Sequence, residues 1–95
     1  MYNAVETQTF ANISATTAAF TLRGGQYGVT ASGTFGGGSI TLQKLSNDGS
    51  TYITCLTAFT AAGYASVNLP SGTYKVAIAT ATAVYVDITS IVTAL

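Results

Sequence analysis

Residues 36–56 read GGGSITLQKLSNDGSTYITCL, from Gly36 to Leu56. Ser39-Ile40-Thr41-Leu42-Gln43 alternates polar and apolar residues, the period of a half-buried strand. Thr51-Tyr52-Ile53-Thr54-Cys55 is β-branched and aromatic, which suits a pleated surface. Between them Asn47-Asp48-Gly49-Ser50 carries turn chemistry: Asn and Asp bond local amides, and Gly takes a positive φ without steric cost. The stretch therefore predicts a β-hairpin with a turn of about four residues. Gly36-Gly37-Gly38 is too entropically costly for a strand, so it predicts a loop or a close approach of another backbone.

The same grammar runs outward from this hairpin. On the N-terminal side Ala18–Arg23 alternates, Gly24-Gly25 turns, and Gln26–Phe35 puts Tyr27, Val29, Ala31, Gly33 and Phe35 on one face. On the C-terminal side the second hairpin strand extends toward Phe59, with Leu56 out of phase, which predicts a bulge or a change of sheet. Ala61-Ala62-Gly63 turns and Tyr64–Leu69 is a strand. Pro70-Ser71-Gly72 turns again, and Thr73–Thr80 is a strand with Tyr74, Val76 and Ile78 inward. Ala83–Val92 is the last strand, with Val84, Val86 and Ile88 opposite Tyr85 and Asp87. Leu69-Pro70-Ser71-Gly72-Thr73-Tyr74 also has the form of a sandwich corner, in which a Tyr bonds backbone across the turn.

Residues 1–15 lack clean alternation and read as an extended N-terminal arm with one short strand near Gln8–Ile13. Residues 16–95 form one domain. Seven to eight short strands with turns every 8–12 residues, and no helical period, predict an all-β antiparallel sandwich, jelly-roll or immunoglobulin-like. At 95 residues the chain buries roughly 60–68% of its unfolded surface, enough for a core without staples.

Composition narrows the function. Charged residues make up 6% against about 25% in an average domain, and the net charge is zero. The six charges are Glu6, Arg23, Lys44, Asp48, Lys75 and Asp87. Thr, Ser, Ala and Gly fill the surface instead, so covering it costs little desolvation, and an uncharged chain tends to associate. Three dispersed cations give no phosphate-binding patch, so no nucleic-acid partner is expected. No run of 18 apolar residues and no signal-peptide pattern is present, so neither a membrane span nor a secretory leader is expected. The single cysteine, Cys55, permits no internal disulfide and reads as a small buried hydrophobe.

There is no histidine, and the three carboxylates fall on separate elements. That removes the usual general bases, nucleophile pairs and zinc ligands, so the chain reads as a non-enzyme without cofactor or metal. The glycine runs lack the Lys-Ser/Thr of a phosphate loop, and the Asp48 turn has too few acids for calcium. Candidate contact residues are aromatic or apolar: Tyr2, Val5 and Phe10 on the arm, and Tyr52, Tyr64 and Tyr85 on the strands. Tyrosines of this kind fill subunit interfaces or stack sugar rings, and Tyr27 and Tyr74 are in phase with the core.

Phe20-Thr21-Leu22-Arg23-Gly24-Gly25-Gln26-Tyr27-Gly28-Val29, Gly37–Leu45 with Asp48-Gly49-Ser50-Thr51, Leu69–Tyr74 and Ala79–Tyr85 resemble stretches of small structural proteins of tailed bacteriophages. The resemblance spans about residues 18–88 and leaves out the arm. It implies a virion component of the cement or decoration type, made in the host cytoplasm and bound to the capsid surface. Its implied partners are the major capsid protein and further copies of itself, commonly as trimers. A carbohydrate-binding or adhesion module, and a head-tail or tail structural protein, are the alternatives.

Overall fold

The computed structural model of the chain describes residues 7–91. Eight strands account for the regular structure, and no helix is present among the described residues. They are β1 (Thr7–Ile13), β2 (Phe20–Leu22), β3 (Gly25–Thr34), β4 (Ser39–Leu45), β5 (Tyr52–Thr54), β6 (Gly63–Leu69), β7 (Gly72–Ala79) and β8 (Thr82–Ser90). Two four-stranded antiparallel sheets face each other, ordered β1-β8-β3-β6 and β2-β7-β4-β5. The all-β, two-sheet reading of the sequence is what the chain adopts.

Alternation decides which residues fill the space between the sheets. Tyr27, Val29 and Ala31 of β3 and Val84, Val86 and Ile88 of β8 point inward from the first sheet. Ile40 and Leu42 of β4 and Tyr74 and Val76 of β7 meet them from the second. Burying each such aliphatic or aromatic side chain contributes about 1.5–3 kcal/mol, so the period-two pattern, repeated on every long strand, is the main source of stability. All buried residues of this core are apolar or tyrosine.

The stretch that decides the fold folds as a hairpin. Leu45 pairs with Tyr52, and the Ser46 amide donates to the Thr51 carbonyl at 2.6 Å, closing a four-residue loop. Asp48 holds that loop: its carboxylate accepts the Ser50 and Thr51 amides, both at 2.9 Å, and the Thr51 hydroxyl at 2.7 Å. Gly49 sits at φ 80°, the left-handed region that Gly enters freely. At the other end a Cβ on Gly38 would overlap the Ala79 carbonyl oxygen, so the close approach expected of the glycine triplet is real. β5 is shorter than its sequence pattern: it stops at Thr54, and the Cys55 amide bonds the Leu42 carbonyl. The chain then bulges until Phe59 exchanges both backbone bonds with Ile40, at 2.9 and 2.8 Å. The strand expected to run on toward Phe59 is interrupted between the two pairings, at the place where the out-of-phase Leu56 predicts a bulge.

Of the residues read as an arm, Thr7–Ile13 form the edge strand β1, paired with β8. The link that follows changes sheets along the β7 edge. There the Thr17 amide donates to the Val76 carbonyl at 3.0 Å. The Thr17 and Thr16 hydroxyls accept the Val76 and Ile78 amides, each at 3.1 Å. β2 pairs only with Gly72–Tyr74, so these hydroxyls satisfy amides that the short strand leaves open. Tyr74 closes the expected corner by donating its hydroxyl to the Pro70 carbonyl. A second corner was not foreseen: Tyr27 donates to the Arg23 carbonyl at 2.7 Å across the β2–β3 turn.

Candidate interaction face

Residues opposite one another in an antiparallel pair share a face. Because Val84, Val86 and Ile88 point inward, Tyr85, Asp87 and Thr89 point outward from the first sheet. The register then sets Asp87 beside Thr9 and Thr30, and Thr30 beside Tyr64, in one row across all four strands. Tyr85 stands one step along, beside Ser32. Tyr64 and Tyr85 lie roughly 12 Å apart by strand spacing and rise. They are 62% and 51% exposed, and Asp87 is the one charge among the described residues of this face.

The face is shaped locally. Gly28 leaves a gap on it, and the phenol end of Tyr64 lies there, so that a Cβ on Gly28 would come 3.0 Å from the ring. Tyr64 therefore rests one side of its ring end on backbone and offers the rest to solvent. Tyr85 stands between two irregularities. β1 inserts Ala11 and Asn12 against it, with Asn12 at φ 54°. β8 inserts an extra residue just before it, with Ala83 at φ 51°. Non-glycine residues in this region carry strain, and paired bulges re-aim the side chain between them. The Ser14 hydroxyl steadies the spot by accepting the Ala83 amide at 3.4 Å. Asp87 accepts a 3.4 Å hydrogen bond from the Thr30 hydroxyl, which orients the carboxylate outward beside a hydroxyl row.

The other candidates separate from this face. Phe10 is half-buried, packed against the core and against Phe20 with ring centroids 5.4 Å apart, so it joins the two sheets at their edges. Tyr52 is half-buried on the outer face of the second sheet, with the Lys75 ammonium 4.2 Å from its ring centroid. Tyr2 and Val5 lie outside the described residues. Thus the structure brings Tyr64 and Tyr85 onto one surface, and assigns Phe10 to packing and Tyr52 to a separate surface. Asp87, which alternation already set on the Tyr85 side of the last strand, completes the face together with Thr30 and Gly28, which the sequence did not single out. A glycine at an outward position inside a long strand was the available signal for Gly28.

Cys55 is half-buried; burial pushes its thiol up, against the opposing pull of the Lys44 ammonium. Among the described residues no three His, Cys, Asp or Glu side chains gather as a metal site. No described helix is long and apolar enough to cross a membrane. Comparison with protein-family models, with curated proteins and with solved structures finds no match for this chain.

Proposed function

We propose that the chain is a jelly-roll decoration protein of a virus particle, attached to the capsid exterior through the outer face of the first sheet. What supports the jelly-roll reading is the strand pairing: β4 with β5, β3 with β6, β2 with β7 and β1 with β8 reads as one long hairpin wound into two sheets. Its tip is the Ser46–Thr51 loop. The observation that carries the function is the Tyr64–Tyr85 face. It is nearly uncharged, hydroxyl-rich and bears two exposed aromatic anchors on rigid strands. Such a surface loses little hydration when covered, and tyrosine contributes large contact area with few rotors. Copies docked across capsid subunits would add buried area against internal pressure, with no catalytic step. Mass spectrometry of purified particles should find the chain in stoichiometric amounts. Tyr64→Ala and Tyr85→Ala should each weaken attachment about tenfold or more without lowering the melting temperature. A chain missing from particles, or variants that attach normally, would reject the reading. Electron microscopy of labelled particles separates a capsid site from a head-tail or tail position.

One observation favours a second reading. The Asp87 carboxylate and Thr30 hydroxyl lie in the same row as Tyr64, an aromatic platform beside polar acceptors that suits a neutral glycan. A glycan array with no binding by the free protein would remove it.

A further inference from the structure

The outer edges of the two sheets are β1, β6, β2 and β5. An edge strand presents unpaired N–H and C=O groups, which join another chain unless something blocks them. Three of the four are blocked. β5 is three residues long and runs into the Cys55–Phe59 bulge. β2 is also three residues long, and Thr16 and Thr17 cover the β7 edge beyond it. β1 is bent by its bulge at Asn12. β6 differs in each respect. It pairs with β3 in unbroken register from Gly25–Leu69 to Ala31–Gly63. Its seven residues, GYASVNL, contain no proline and no charge. Apart from the β3 ladder, no hydrogen bond reaches it among the described residues. Tyr64 leans over Gly28 of β3, hence away from the open side.

We propose that β6 pairs antiparallel with β6 of a second copy, about a two-fold axis at Ser66, joining two first sheets into one of eight strands. Ser66 is the midpoint of Gly63–Leu69, so this register pairs the whole strand. It sets Tyr64 opposite Asn68 and Ala65 opposite Val67, with no like charges meeting. A second copy is favoured over a foreign strand because the neutral β6 sequence is complementary to itself in this register, and the chain's zero net charge opposes no approach. The resemblance to phage proteins implies trimers, whereas this edge generates a pair. The pairing belongs to the free protein, so it stands or falls separately from particle attachment.

Sedimentation velocity across a micromolar concentration series is expected to show a species of twice the 9.6 kDa chain mass. Ser66→Lys places two ammonium groups opposite each other and should weaken association at least tenfold, with circular dichroism unchanged and the melting temperature equal to that of the wild type at concentrations low enough for both to be monomeric. Thr21→Lys, also exposed but on β2, should leave the pair intact. In a Cys55→Ala background, Ser66→Cys should form an interchain disulfide under mild oxidation, a readout that does not depend on the lysine variant folding. A wild-type chain that stays monomeric overturns the proposal and leaves the edge to a strand of another protein. Equal effects of the two lysines, or no cross-link at Ser66, overturn it as well.

Discussion

Tyr27 and Tyr74 each donate a hydroxyl to the carbonyl four residues earlier, Arg23 and Pro70. Both turns carry the chain between sheets, and β3–β6 and β2–β7 pairing lays the two crossings side by side. Each phenol ties the carbonyl of a turn residue to the strand that leaves the turn. Tyr74→Phe and Tyr27→Phe are each expected to lower stability by about 1 kcal/mol in urea unfolding, with the hydroxyl as the only group lost. Asp48 acts at the exposed tip of the β4–β5 hairpin. The Ser50 amide first, then the Thr51 hydroxyl and amide, hold its carboxyl at about 2, below its ordinary 3.8. A depressed carboxylate contributes stability above its unfolded value and loses it as pH falls through the folded one. The wild type should therefore lose stability between pH 4 and 2 to a greater extent than Asp48→Asn, measured as the shift of the urea midpoint. Of these residues the sequence disclosed the Asp48-Gly49 turn and the Tyr74 corner, because Pro-Ser-Gly marks the turn before it. The Tyr27 corner was hidden because Arg23-Gly24-Gly25 has no proline to mark its turn as a corner.

Among the elements, β3, β7 and β8 were legible because each alternates over most of its length, and Tyr27, Val29, Ala31, Tyr74, Val76, Val84, Val86 and Ile88 are buried as alternation selects, whereas Gly33, read on the same face of β3, is exposed where the β3–β8 register shifts. The short ones were not. β2 and β5 are three residues each, too short for a period, and their extent is set by where a neighbour can still pair. The link after β1 shows how such shortness is managed. Thr17 is half-buried and Thr16 exposed, and both hydroxyls bond β7 amides. Thr17→Val should cost about 1–2 kcal/mol, since the Val76 amide loses its acceptor in a partly dry place. Thr16→Val should cost less, since water can replace its hydroxyl at Ile78. Hydrogen exchange at the Val76 and Ile78 amides reports each loss separately. The outer face of the first sheet was legible in part: Tyr64 and Tyr85 stand out of the apolar phase. Their common surface, and the Gly28 gap that seats one of them, follow from register, which pairs residues dozens of positions apart and leaves no local mark.

At the scale of the whole molecule, two sheets present two unlike surfaces. The first carries Tyr64 and Tyr85 with a single carboxylate, and the second carries Tyr52 covered by Lys75. The proposed particle attachment needs one surface to bind and another to face solvent, and this difference is the basis for choosing between them. The strand order has a further consequence for how the chain reaches its fold. Thr7 and Thr89 are direct partners, so the two ends of the described chain emerge side by side. Nearly every ladder except β4–β5 joins distant parts of the sequence, and such topologies fold slowly because long loops must close before contacts reward them. Linking the ends and reopening the chain between β5 and β6, near the exposed Ala61, would keep all six ladders yet turn β1–β8 from the most distant pairing into a local hairpin. In stopped-flow refolding that rearranged chain should fold faster than the natural one, at similar equilibrium stability.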